Sequence, residues 1–188
     1  DNFGLSQQGF ARSKYLVDYF TDPVVINGKQ MYGIPQMIYC FNTHDGVNRS
    51  RQLMQPLIDT GIQYEDELSN GKSGTQGLVD QIFDTKNQNK TILVCWEHKI
   101  IPFLVEEIGK RMSENEKKNR FKDFNFWALD PKNGVNGEKD GNDQSLYSMT
   151  VIIDPTENTL QCINQSTDFN KNDQVLKKEK DYHILFSL

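Results

Sequence analysis

Thr-Ile-Leu-Val-Cys-Trp, residues 91–96, is the stretch on which the fold turns. It opens on two β-branched residues, stays apolar from Ile92 on, and follows the polar run Asn87-Gln88-Asn89-Lys90. An unbroken apolar run of this length suits a strand covered on both faces, since neither face is left for water. Beyond it the period changes, and residues 100–111 read as a helix with Pro102 tolerated in the first turn. Toward the N-terminus, residues 37–41 read as a second short buried strand, followed by polar, glycine-containing residues 42–48. A helix is expected over 49–59, with Leu53, Met54, Leu57 and Ile58 on one face and Gly61 placed to stop it. Another is expected over 74–84, where Leu78, Val79, Ile82 and Phe83 fall at helical spacing. Ser6 is placed to cap a helix reaching Phe20, with Phe10, Leu16, Val17 and Phe20 on its apolar face. Asp22-Pro23 ends it, because the residue before a proline is pushed out of the helical region.

Toward the C-terminus, residues 124–129, 146–153 and 160–163 read as strands, the last two joined by a turn through Asp154-Pro155-Thr156. Residues 131–144 are dominated by Gly, Asn, Asp and Lys and read as a long flexible loop. Strands alternating with helices predict a mixed α/β layer sandwich. One domain is expected over residues 1–172. A C-terminal tail over 173–188 carries the lysine-rich 177–180 and a final apolar run, 184–188.

The chain has 188 residues, 36% hydrophobic and 25% charged, which is lean but far from the disordered regime. A domain of this size buries roughly 70% of the surface its unfolded chain exposes, enough for a core without staples. The net charge of −5 argues against wholesale neutralisation of nucleic-acid phosphates and leaves room only for a local basic pocket. No apolar run approaches the ~18–20 residues that span a bilayer. Cys40, Cys95 and Cys162 each lie in an apolar stretch, and an odd, sparse count does not read as a disulfide framework. Unpaired thiols and a cytoplasmic location are the expectation. The N-x-S/T matches at Asn48, Asn89 and Asn164 pull the other way. The chain opens at Asp1 without an initiator Met, and loss of an upstream segment is expected.

Two strand exits attract attention. The strand ending near Phe41 leads through a short loop to Arg49 at a helix start, and the strand ending at Trp96 leads to Glu97 and His98 before another. Ligands of open α/β sheets bind outside the carboxyl ends of strands, where helix N-termini offer unpaired N–H groups to a phosphate. Arg49 and Arg51 add guanidinium groups that grip two phosphate oxygens at once. A histidine at the same edge is suited to donating a proton or stabilising negative charge.

L-S-Q-Q-G-F-A-R-S-K-Y-L (residues 5–16) resembles the L-S/T-x-x-G-x-x-R/Q-A-x-x-L helix of the histidine phosphatase superfamily, the phosphoglycerate mutase-like proteins. R-S-R-Q-L-M-Q-P-L (49–57) resembles that family's R-A/S-x-Q-T-x-x-P-L segment. T-I-L-V-C-W-E-H-K-I-I-P-F-L-V-E-E-I-G (91–109) resembles the strand–histidine–helix unit that carries its second active-site histidine. The resemblance spans residues 5 to about 169 and implies a three-layer αβα sandwich with a largely parallel central sheet. It also implies hydrolysis of phosphomonoesters through a phosphohistidine intermediate, with two arginines and a second histidine holding the phosphate. Arg49 matches the phosphate-binding arginine of the second segment and His98 the second histidine. Glu97 and Glu65 are the candidate acid/base residues, with Glu67 a further neighbour of the implied pocket. No cofactor is implied. The implied partner is a phosphorylated small molecule or a phosphoprotein.

The sequence departs from the pattern at Leu53, where Thr is usual, and at Lys99, where Gly or Asp is common. The family's R-H-G motif, which holds the nucleophile at the end of the first strand, lies upstream of the L-S-x-x-G helix. This sequence contains no R-H-G. His44 falls in a polar loop and His183 at the start of an apolar run, neither in that context. An upstream segment carrying the motif is the expectation. The alternative is a non-catalytic pseudophosphatase that binds a phospholigand or a protein. The run 184–188 is a candidate for the sheet position of such a first strand.

Other motifs compete weakly. Asn70-Gly71-Lys72-Ser73 lacks the earlier glycine of a P-loop, Asp66 standing in its place. No G-x-G-x-x-G occurs. Cys40, His44, Cys95 and His98 have the donor types for zinc, but a cysteine inside an apolar strand behaves as a small buried hydrophobe. No metal is expected.

Overall fold

The computed structural model describes residues 4–5, 7–22, 25–26, 29–30, 32–42, 48–68, 72–97, 100–112, 149–154, 159–164 and 181–187. In chain order the elements are α1 (Gln7–Thr21), β1 (Val25–Ile26), β2 (Lys29–Gln30), β3 (Met37–Asn42), α2 (Arg49–Ile58), β4 (Gln63–Leu68) and α3 (Lys72–Ile82). A 3-10 turn at Thr85–Asn87, β5 (Thr91–Glu97), α4 (Ile101–Arg111), β6 (Met149–Asp154), β7 (Thr159–Asn164) and β8 (Asp181–Ser187) follow. β1 and β2 form a separate antiparallel pair.

The main sheet has six strands in the order β4-β3-β5-β8-β6-β7. β4, β3 and β5 are mutually parallel, with Cys40 of β3 in register with Asp66 on one side and Cys95 on the other. β8 runs antiparallel to β5 and parallel to β6, and β7 closes the order antiparallel to β6. The protein is therefore of mixed α/β class, with a three-strand parallel region.

The period-two alternation of β5 explains its continuous apolarity. Ile92, Val94 and Trp96 face a core built with Leu78, Val79 and Ile82 of α3 and with Ile101, Leu104, Val105 and Ile108 of α4. Leu93 and Cys95 face a second core, built with Leu16, Tyr19 and Phe20 of α1 and with Leu53, Met54, Leu57 and Ile58 of α2. Each fully buried Leu, Val or Ile contributes about 1.5–3 kcal/mol relative to exposure, so both faces must be covered. The helix expected to stop at Gly61 does so: Gly61 takes a φ of +98° and donates its N–H to the Ile58 carbonyl at 2.9 Å. That backbone conformation favours a residue without Cβ.

Three sequence expectations need correction or relocation. The sequence offers no strand signal over residues 63–68, yet they form β4, and α3 begins at Lys72, two residues before the expected start. The reason is position: β4 is an edge strand, and its charged alternation Gln-Tyr-Glu-Asp-Glu-Leu carries no apolar signal. Within the stretch 173–188, read as a tail, residues 181–187 form β8, so residues 184–187 of the final apolar run enter the sheet, between β5 and β6. The strand expected over 146–153 is β6, beginning at Met149, whereas the strand over 124–129 and the loop over 131–144 lie outside the described residues.

Candidate functional site

The site grows from two neighbouring strands that part company. β3 and β5 are adjacent and parallel, so both deliver the chain to the same edge of the sheet. From β3 the chain passes to α2 on one face, and from β5 to α4 on the other. Where connections diverge to opposite faces a crevice opens outside the strand ends, the usual seat of a ligand in open α/β sheets.

Arg49 is the first residue of α2 and is exposed at this edge. Asn48 precedes it at the cap position, with φ −122° and ψ 37°, and its side chain makes no capping hydrogen bond. The reason is competition: Gln52 Nε2 donates to Asn48 Oδ1 at 2.7 Å. The other end of the Gln52 amide accepts from the Leu5 backbone N–H at 2.9 Å, tying the approach to α1 onto α2. The first turn of α2 thus presents its N–H groups without a side-chain cap, at the positive end of a ten-residue helix. Gln52 has a structural job, and no sequence spacing announces it, because Leu5 lies 47 positions away.

Arg51, two residues on, is committed elsewhere. Its guanidinium carbon lies 3.9 Å from the centre of the Tyr64 ring. Nε approaches Asp66 Oδ1 at 3.5 Å, and Nη1 donates to Gln55 Oε1 at 2.5 Å. Arg51 fastens α2 to the edge strand β4, whereas Arg49 is the other cation of this helix start.

The remaining expected site residues are distributed unevenly. Glu97 is the last residue of β5 and so reaches the same edge, where the pairing of β5 with β8 sets Asp181 opposite it. Sequence reasoning missed Asp181, because nothing local announces a pairing across more than eighty residues. His98 follows Glu97 directly and lies outside the described residues, as does His44. Glu65 is apart from the crevice: it sits mid-strand in β4, in register with Tyr39, and accepts from Lys86 Nζ at 2.9 Å. That bond holds the Lys86 ammonium above its ordinary pKa. Glu67 lies in β4, paired with Phe41.

Cys40 and Cys95 are both thiols and both buried. Burial pushes the Cys40 thiol up to about 12, with the nearby Asp66 charge adding to the effect and Arg51 opposing it. A protonated thiol is a poor metal ligand. Among the described residues no group of three or more His, Cys, Asp or Glu is arranged to hold a metal ion. Among the same residues no helix is long and apolar enough to cross a membrane.

Compared with known protein families, curated proteins and solved structures, the chain matches none of them.

Proposed function

We propose that this chain is a phosphatase-type domain of the phosphoglycerate mutase-like kind, which seats the phosphate of a small molecule or a phosphoprotein in the crevice between β3 and β5. The observation that carries the reading is the start of α2: an uncapped helix N-terminus bearing Arg49, at the edge where β5 leads to His98. Backbone N–H groups and the fork of Arg49 would hold phosphate oxygens, and His98 would donate to another. Glu97, one residue before His98, is the carboxylate nearest to this role in sequence. Turnover through a phosphohistidine needs a nucleophile from an R-H-G segment, which these 188 residues do not contain.

One observation favours binding without turnover as a second reading. β8 occupies the place beside β5 but runs antiparallel to it, bringing its first residue, Asp181, to the carboxyl edge. His183 lies two residues further in, opposite Cys95. A strand in this orientation does not end at the crevice as an R-H-G strand does. The chain alone is then expected to bind phosphate and to leave aryl phosphates uncleaved.

Calorimetric titration with phosphate and vanadate tests the site. Arg49→Ala and His98→Ala should each remove roughly 1.5–3 kcal/mol of binding, the scale of a hydrogen bond to a charged group. Arg49→Lys keeps the charge and loses the fork, so it should weaken binding by less. Affinity unchanged in both alanine variants would remove the phosphate site.

A further inference from the structure

Cys40 and Cys95 are direct register partners on the adjacent parallel strands β3 and β5, so their side chains leave the sheet on the same face. Both are 0% exposed within the core that α1 and α2 cover. We propose that these two thiols form a reversible cross-strand redox pair, which a hydroperoxide converts to a disulfide when the α1–α2 layer opens. The inference does not depend on what the crevice binds.

Geometry permits the bond. Neighbouring strands lie about 4.8 Å apart, inside the ~4.4–6.8 Å window of Cα separations that a disulfide spans. The Cβ atoms of an established disulfide sit at about 3.8 Å, closer than in-register strands place them, so the bond forms under some strain. A strained disulfide yields readily to thiol reductants, which is the behaviour of a switch rather than a staple.

Burial supplies the gate. The thiolate is the reactive form, and burial suppresses it at Cys40. Oxidation therefore waits for local opening of the covering helices. On opening, one thiolate attacks a peroxide oxygen, giving a sulfenic acid and releasing an alcohol, or water when the oxidant is hydrogen peroxide. The second thiol displaces the hydroxyl as water and closes the S–S bond, so two thiols and one hydroperoxide give one disulfide, one alcohol and one water. The bond would join the strands two residues before Asn42 and Glu97, just short of the edge where both strands end.

The test treats the folded, full chain with hydrogen peroxide, blocks remaining thiols, and maps peptides without reduction. One cross-link, Cys40 to Cys95, should dominate. It should disappear with glutathione and persist in Cys162→Ala. The same oxidation in urea should scatter among all three possible pairings, which shows that the fold selects the pair. Cross-links to Cys162 as abundant as the Cys40–Cys95 link in the folded chain would overturn the proposal. So would sulfinic acid accumulating at Cys40 or Cys95 without a cross-link, or both thiols surviving peroxide under mild urea that admits solvent to α1 and α2.

Discussion

On the face covered by α3 and α4, the parallel strands present Met37, Tyr39, Ile92, Val94 and Trp96. On the face covered by α1 and α2, the same strands present Ile38, Cys40, Leu93 and Cys95. The helices differ accordingly. α4 contributes Ile101, Leu104, Val105 and Ile108, an aliphatic stripe. α1 and α2 bring buried Arg12, Ser13 and Ser50 alongside their apolar residues, and α2 begins with the exposed Arg49. The aromatic residues also separate: Tyr15, Tyr19, Phe20 and Tyr32 form one connected group beside α1, with Tyr32 Oη donating to the Tyr19 carbonyl at 2.8 Å. On the other face Trp96 meets Phe41 edge-on, ring centres 5.4 Å apart. One face supplies cohesion; the other supplies cohesion together with charge and thiols. Stability and ligand binding should therefore respond separately to mutation.

The largest difference between the two faces is expected from a matched pair of core truncations. Leu104→Ala on α4 and Leu53→Ala on α2 each empty a fully buried leucine site and should each cost ~2–5 kcal/mol of stability in urea unfolding. Only Leu53→Ala should also weaken phosphate binding by the folded protein, because α2 positions Arg49. Equal loss of phosphate affinity in both variants would mean that the faces are not separable in this way.

A smaller effect sharpens the assignment within α2. Arg51→Ala removes the contact over the Tyr64 ring and the approach to Asp66. Tyr64 remains 42% exposed, so the stacking is worth only about 0.5–1 kcal/mol. The expected outcome is a modest fall in unfolding midpoint with phosphate affinity unchanged. A drop in affinity comparable to that of Arg49→Ala would show that both arginines serve the crevice.

The smallest expected effect lies on the other face, at the turn after α3. Asp84 caps the 3-10 turn, accepting from the Lys86 N–H at 3.0 Å, and that bond holds its carboxyl below the usual 3.8. A carboxylate with a lowered folded pKa adds stability above its unfolded pKa and loses it as pH falls through the folded value. Asp84→Ala should therefore lower the unfolding midpoint slightly at neutral pH, and the difference from wild type should vanish below that range. A gap that persists in strong acid would assign the loss to packing rather than to the charged cap.

Much of the chain was legible because its signals are local. The helices over α1, α2, α3 and α4 follow from apolar spacing, and their observed starts and ends fall within two residues of expectation. β3 and β5 were legible because strands buried on both faces leave a continuous apolar record. β4 was not: its neighbours on either face are Arg51 and Lys86, so its alternation is written in charges that resemble a loop. Half of the candidate site was legible as well, since the spacing that places Arg49 after one strand exit and Glu97 at the other is local.

The mixed class, the two buried strands and the helix starts are written in local spacing and side-chain type, which act over a few residues. Only the tertiary structure decided which strands are neighbours. It placed the exits of β3 and β5 on one edge, separated Glu65 from them, turned Arg51 onto Tyr64, and set Asp181 opposite Glu97. It also put Cys40 beside Cys95, fifty-five positions away in the chain. The physical reason is that strand order and register are fixed by which faces can be buried together, a property of the assembled layers that no local pattern records.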